Sequence, residues 1–176
     1  MEKLYKRNDI YEGRVVHLVN DEVEIDDGSH TFREVVYHRG GACIALKDKD
    51  NKYLMVRQFR YALDREMLEF CAGKLEKGED PDDAIIREAR EELGSTVKNL
   101  VKLGYMIPTC GYSSEKIYLY YGEKEDSVSQ DFDEDERIDL DRHSFGEIKE
   151  MIKSGVINDA KTICLVSRMI LNGIEE

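Results

Sequence analysis

Apolar positions along the chain fall into runs of two periods. β-Prone runs occupy residues 14–19, 23–25 and 31–37, with Asn20-Asp21 read as a tight turn and Asp26-Asp27-Gly28 as a second. Further runs at 42–46, 53–58, 67–71, 100–106 and 116–121 read as strands, and a turn at 47–52 joins the first two into a hairpin with buried aliphatics. Helical spacing appears three times. Residues 81–93 put Ile85, Ile86, Ala89 and Leu93 on one arc. Residues 144–155 open on the capping-box pattern Ser144-Phe145-Gly146-Glu147. Residues 159–171 turn Ile163, Val166 and Ile170 inward. Residues 107–115 read as a loop and the acidic stretch 123–136 as an exposed loop. Strands and helices mixed in this order predict the α/β class, an α/β/α sandwich around a mixed sheet.

The N-terminal strands are too few to stand uncovered. Residues 1–40 therefore read as a small β-rich section that packs either on the main domain, residues 41–176, or on a second chain. Arg39-Gly40-Gly41 marks the boundary.

Composition narrows the class. A chain of 176 residues, 41% hydrophobic and 36% charged, suits one soluble domain with a sizeable core and a small appended piece. The net charge of −12 disfavours nucleic-acid backbones and anionic membranes as partners. It also requires that any anionic substrate be held by local arginines or metal. No apolar run approaches membrane-spanning length and the N-terminus lacks an apolar signal core, so a cytoplasmic location is expected. Cys43, Cys71, Cys110 and Cys164 are far apart without a CxxC pair, which argues against a zinc or disulfide framework. Cys43, Cys71 and Cys164 read as small core residues.

The chemistry concentrates in residues 73–94. Asp80 suits an N-cap, Pro81 the first helical position, and Asp82 and Asp83 the positive end of the helix dipole; Gly94 suits the position past the C-terminus. Glu88, Glu91 and Glu92 share an arc beside the apolar one, with small Ala84 leaving space among them. Like charges at these spacings cost a helix roughly 0.2–0.5 kcal/mol per pair, so the cluster calls for a compensating cation. Oxygen ligands on a rigid element suit Mg²⁺ or Mn²⁺. An acidic run on a helix is more often a solvated face, and the wider spacing decides between the two readings. Gly73, five residues, Glu79, seven residues, then Arg87-Glu88-Ala89-Arg90-Glu91-Glu92-Leu93-Gly94 resembles the Nudix box at every fixed position. Ala89 and Ser95 depart from its bulky aliphatic positions, which concern packing rather than ligands.

That resemblance implies the α/β/α sandwich and a pyrophosphohydrolase acting on a nucleoside diphosphate linked to another group. It assigns Glu88 and Glu92 as metal ligands, Glu91 to a second ion or its water, and the carbonyl of Ala72 as a backbone ligand, with two or more ions in the site. Glu79 assists through water or fixes the loop, and Arg87 orients a glutamate. Residues 33–40, 56–61, 69–73, 108–115 and 159–162 resemble in order the REVVxHPG, VRQYRY, ELPAG, PSPGxxxE and DAKT segments of ADP-ribose pyrophosphatases. Arg39, Cys71 and Cys110 each replace a proline of those patterns. By this resemblance Arg33 and Arg60 meet substrate, with Arg57 a weaker carry-over; the plain alternative is strand-edge charge. Guanidinium forks suit phosphate oxygens and stack on adenine. Glu115 is the candidate general base, in competition with a solvated reading and with the acidic residues Asp133, Glu134, Asp135 and Glu136. His38 reads as structural. Related enzymes form homodimers by exchanging the N-terminal sheet. The expected reaction is divalent-metal-dependent hydrolysis of ADP-ribose to AMP and ribose 5-phosphate, or of a related nucleoside diphosphate sugar. The alternatives are another nucleotide substrate, such as a GDP-sugar or a dinucleotide, and a non-catalytic nucleotide-sugar sensor, which the intact set of box glutamates disfavours.

Overall fold

β-Branched and aromatic residues in the first 40 positions give four strands in the computed structural model, which describes residues 1–131 and 137–176. They are β1 (Lys3–Lys6), β2 (Asp9–Glu12), β3 (His17–Glu24) and β4 (His30–Tyr37). All pair antiparallel to β3. β4 runs along its whole length from His17↔Tyr37 to Glu24↔His30, and β1 and β2 share its other edge. The expected turn at Asn20-Asp21 is absent, because β3 continues through it. Asp21 is buried, and Arg7 satisfies its carboxylate with two hydrogen bonds, 3.1 Å from Nε and 2.9 Å from Nη2. A residue with turn propensity is thus held in a strand by a charge partner fourteen positions away. β1 and β2 were not expected; every one of their residues is exposed, so they carry no hydrophobic period. The turn at 26–28 forms, with Gly28 at φ 82° and its N–H donating to the Ile25 carbonyl.

The chain groups into two compact units. Residues 107–116 cluster with the strands of residues 1–40, and residues 41–106 with 117–176 form the other unit. In the first unit, Val36 N–H donates to the Tyr112 carbonyl at 2.7 Å and Ser114 N–H to the Val36 carbonyl at 3.0 Å, which fixes the loop 107–116 along β4.

The larger unit is built on β5 (Gly41–Lys47), β6 (Lys52–Arg60), β7 (Arg65–Glu69), β8 (Cys71–Lys74), β9 (Ser95–Met106), β10 (Ile117–Ser127) and β11 (Ile138–Ser144), with helices α1 (Pro81–Glu91), α2 (Phe145–Lys153) and α3 (Ala160–Leu171). The strands order β11-β6-β5-β10-β9, while β7 pairs with β6 and β8 with β5. β5 and β10 run parallel and the other pairs antiparallel, so the sheet is mixed. Period-two alternation sends Cys43, Ala45, Tyr53 and Met55 to one face, where they meet Phe145, Ile148, Leu165, Val166 and Met169 of α2 and α3. Ala42, Ile44, Leu46, Leu54 and Val56 go to the other face and meet Ile85 and Leu93 at α1. This is the expected α/β/α sandwich.

Several expectations are corrected. The β5–β6 hairpin pairs only at Leu46↔Leu54 and Lys47↔Tyr53, beyond which β5 takes β8 as its neighbour. Residues 67–71 span two strands, β7 and β8. Residues 123–127, expected in a loop, extend β10; Glu123 sits opposite Lys98 of β9, and the opposed charges suit a strand pair. The acidic residues Asp133 to Glu136 lie outside the described residues. Ile86 and Ile170 are exposed, and Ala84 and Met169 take the inward places on α1 and α3. Among the described residues no helix is long and apolar enough to cross a membrane.

The start of α3 is tied to the β7–β8 junction. Asp159 caps α3, its Oδ2 accepting from Thr162 N–H at 2.9 Å and from Thr162 Oγ1 at 2.7 Å. Thr162 Oγ1 accepts in turn from the buried Phe70 N–H at 3.0 Å. Thr162→Val keeps the shape and strands that donor. We predict a loss of about 1–3 kcal/mol of unfolding free energy, read by urea denaturation; an unchanged midpoint and slope would show that the bond carries no stability.

Candidate active site

α1 begins where Asp80 Oδ1 accepts the Asp82 N–H at 2.8 Å and Pro81 opens the first turn. Asp82 is then fixed toward the sheet. Lys102 Nζ lies 2.7 Å from its Oδ1, and the Tyr120 hydroxyl donates to the same oxygen at 2.5 Å. The Lys102 bond, followed by the Tyr120 bond, holds the Asp82 carboxyl below its usual range. Anchored this way, α1 presents Ala84, Ile85 and Ala89 to the core and carries Glu88, Glu91 and Glu92 along its flank.

Glu88 and Glu92 are both buried, at 9% and 5% exposure, which is rare for glutamate and points away from a solvated acidic face. The backbone makes room for Glu88 at Gly73. A Cβ there would lie 1.8 Å from the Glu88 carboxyl carbon, so no other residue fits without displacing the carboxylate. Gly73 lies within the Cys71–Lys74 strand, paired with Ala42, and its neighbour Ala72 pairs with Cys43, which places the Ala72 backbone next to that cradle.

Arg87 supplies the cation that the sequence demanded. Its Nη1 lies 2.8 Å from both Glu88 Oε1 and Glu91 Oε2, and its Nε and Nη2 reach Glu79 at 3.0 and 3.2 Å. The Glu79 bond, with smaller contributions from Glu88 and Glu91, raises the Arg87 guanidinium above its usual range. Glu79 Oε2 also accepts the Glu76 N–H at 2.8 Å, closing the loop before α1. Among the described residues no three His, Cys, Asp or Glu are drawn together at metal-ligand spacing. The donor set nevertheless fits a hard divalent ion. It offers only oxygens, two of its carboxylates are buried on a rigid helix, and a glycine keeps the space open. Cys71, at the position of a family proline, hydrogen-bonds to Glu92; burial first, and then the Glu92 charge, push its thiol well above the usual range, so it stays a neutral donor.

The candidate substrate arginines are all engaged with acids. Arg57 Nη2 donates to Asp141 of β11 at 2.6 Å. Arg60, at the end of β6, binds Glu69 through both Nε at 2.9 Å and Nη2 at 2.6 Å. In the other unit, Arg33 holds Glu2 at 3.1 Å through Nε and 2.5 Å through Nη2, and donates to the Phe32 carbonyl at 3.0 Å. Glu115 is in that unit too. Its Oε1 lies 3.3 Å from His38 Nδ1, and its N–H donates to Ser113 Oγ at 3.1 Å. His38 Nδ1 accepts the Gly40 N–H at 3.0 Å, which supports the structural reading of that histidine.

Two residues not singled out from the sequence also belong here. Glu69 is nearly fully buried, and Lys161 of α3 ion-pairs with it and with Asp159, the latter at 2.9 Å. Arg60, Arg65, Glu69, Asn158 and Lys161 line a cavity of about 600 Å³. The available signals were the Glu of the ELPAG-like segment and the Lys of Asp159-Ala160-Lys161-Thr162.

Comparison with known proteins agrees with the geometry. A family model described as NUDIX domain matches residues 36–166. The chain is 32% identical over 163 residues to an ADP-ribose pyrophosphatase of Bacillus subtilis (strain 168), covering 92% of this chain and 88% of the relative. It is 37% identical over 174 residues to a methanol dehydrogenase activator of Bacillus methanolicus, covering 97% and 93%. It is 35% identical over 150 residues to a GDP-mannose pyrophosphatase of Cronobacter sakazakii (strain ATCC BAA-894), covering 79% and 78%. The fold matches a crystal structure of an ADP compounds hydrolase with a TM-score of 0.82 at 18% identity, over 98% of this chain and 95% of that one.

Gly73→Ala should force Glu88 out of its cradle. We predict at least a tenfold loss of Mn²⁺ affinity, measured by paramagnetic resonance, with α1 retained by circular dichroism. Unchanged affinity in the folded variant would remove Glu88 from the ligand set.

Proposed function

The chain belongs to the NUDIX domain family, and on that premise we propose that it hydrolyses the pyrophosphate bond of ADP-ribose, giving AMP and ribose 5-phosphate. The observation that carries this reading is the pair of buried glutamates, Glu88 and Glu92, the first lying where a Cβ on Gly73 would strike its carboxylate. The relative named ADP-ribose pyrophosphatase, matched over nine-tenths of this chain, supports the choice of substrate.

Glu88, Glu92, Glu91 and the Ala72 carbonyl would hold Mg²⁺, or Mn²⁺ in its place, as two or more ions. When bound, such ions neutralise the diphosphate and polarise the P–O bond that breaks. Arg87 would then yield its shared hold on Glu88 and Glu91 while Glu79 keeps its Nε and Nη2 in place. Arg60, with Arg57 and Arg33, offers planar forks to the phosphate oxygens, which a chain of net charge −12 needs in order to hold an anion. Glu115 takes a proton from the attacking water as the new O–P bond forms and the bridging P–O bond breaks.

Residues 1–40 form the N-terminal section and residues 41–176 the hydrolase domain. The protein is a cytoplasmic homodimer whose N-terminal strands pack on the partner. Exposed Leu4, Tyr5, Ile10, Tyr11 and Phe32 support that packing, since each is more than half exposed in the single chain.

The second reading is GDP-mannose as substrate, favoured by the relative of that name. Steady-state assays over ADP-ribose, GDP-mannose, NADH and diadenosine polyphosphates separate the two. ADP-ribose should give the highest kcat/KM, with AMP and ribose 5-phosphate as products. A tenfold or greater advantage for another compound, about 1.4 kcal/mol of transition-state preference, overturns the assignment. Glu115→Gln should lower kcat by about 10²-fold or more with KM little changed; a change in KM alone would make Glu115 a positioning group.

A further inference from the structure

Glu69 is a buried carboxylate with two cations on it. Its side chain is only 3% exposed, so it cannot rely on water for compensation. Arg60 meets it with a bidentate fork from the side of the 600 Å³ cavity, and its own side chain is 37% exposed. Lys161 meets it from the start of α3 and is 12% exposed, with Asp159 Oδ1 2.9 Å from its Nζ. Burial alone would raise the Glu69 carboxyl, but Arg60 and Lys161 outweigh that and leave it lowered, so it is an anion in the folded protein. The bond to Glu69 raises the Arg60 guanidinium above its usual range, with a smaller contribution from the Glu92 charge.

The two cations are not equivalent. Arg60 stands at the open side and has a fork that suits phosphate as well as carboxylate. Lys161 is enclosed between Glu69 and Asp159. If Arg60 turns from Glu69 to a phosphate, Glu69 keeps its charge partner in Lys161. If Lys161 were missing, Arg60 would be the sole counterion of a buried carboxylate and would be retained there. Glu69 thus competes with substrate for Arg60, and Lys161 sets how strongly it does so.

We propose that Lys161 is a positioning residue that frees Arg60: it remains on Glu69 while Arg60 exchanges that carboxylate for the diphosphate of the substrate. The proposal rests on the reading of Arg60 as a substrate-binding residue in a nucleoside diphosphate sugar hydrolase. It explains the Lys of the Asp159-Ala160-Lys161-Thr162 segment, whose Asp caps the helix and whose Thr holds Phe70 N–H.

The test is a set of four variants assayed with ADP-ribose, with binding of its α,β-methylene analogue measured by calorimetry. Arg60→Ala should raise KM at least tenfold and weaken the analogue equally; no change would overturn the assignment of Arg60 on which the proposal rests. Lys161→Met should raise KM and weaken the analogue about tenfold while kcat stays within threefold. Adding Glu69→Gln to Lys161→Met should bring both back to within threefold of wild type, because a neutral partner no longer holds Arg60. If Arg60→Ala acts but Lys161→Met leaves KM and analogue affinity unchanged, or the double variant fails to recover while folded, the exchange is wrong. Glu69→Gln alone covers the case in which Lys161→Met does not fold. Exchange predicts equal or tighter analogue binding, whereas a carboxylate that merely anchors Arg60 predicts binding weakened severalfold, which would overturn the proposal.

Discussion

Three carboxylates crowded onto one flank of α1 are the constraint on which the site depends. Left to themselves Glu88, Glu91 and Glu92 would repel one another, and two of them are buried, where the repulsion is least screened. Arg87 removes the conflict within the protein by sharing one nitrogen between Glu88 and Glu91 while Glu79 holds the rest of its fork. Everything adjacent serves that arrangement. Gly73 gives up a side chain so that Glu88 can lie against the backbone, and Asp82 pins the first turn of α1 to Lys102 and Tyr120. A helix flank that would be costly without a cation is thereby held in place by Arg87.

The same economy of charge appears at the arginines. In a chain with 38 acidic and 26 basic Lys and Arg residues, basic side chains meet a surplus of carboxylates. Arg33, Arg57 and Arg60 each rest on one, Glu2, Asp141 and Glu69 respectively. These pairs differ in what release entails. Glu2 is about half exposed and readily rehydrated, so freeing Arg33 has a small effect. Glu69 is enclosed, and freeing Arg60 depends on what else compensates it.

Much of this was legible in the sequence, and the reasons it was not elsewhere are physical. The box spacing picked out Glu88, Glu91 and Glu92 because side chains that share one helix flank must recur at its period, and Glu88 and Glu92 are buried there. The caps Asp80 and Ser144 were readable because capping is local. β1 and β2 were missed because fully exposed strands have no alternation, and β3 was split because Arg7, which keeps Asp21 in the strand, is remote in sequence. Ile86 and Ile170 were placed inward by their hydrophobicity, yet each sits one position beyond the face that the sheet covers. Lys161 and Glu69 were passed over for the same reason as Asp21: a buried ion pair between residues 92 positions apart leaves no mark on either stretch alone.

The central claim is that the buried α1 carboxylates hold the divalent ions that drive hydrolysis, and Glu92→Gln tests it most directly. The substitution removes one charge at nearly constant volume. Turnover of ADP-ribose at saturating Mg²⁺ should fall by about 10²-fold or more, with unfolding by urea still cooperative and Mn²⁺ affinity reduced in parallel. Near-normal turnover at saturating Mg²⁺ in a folded variant would contradict the account.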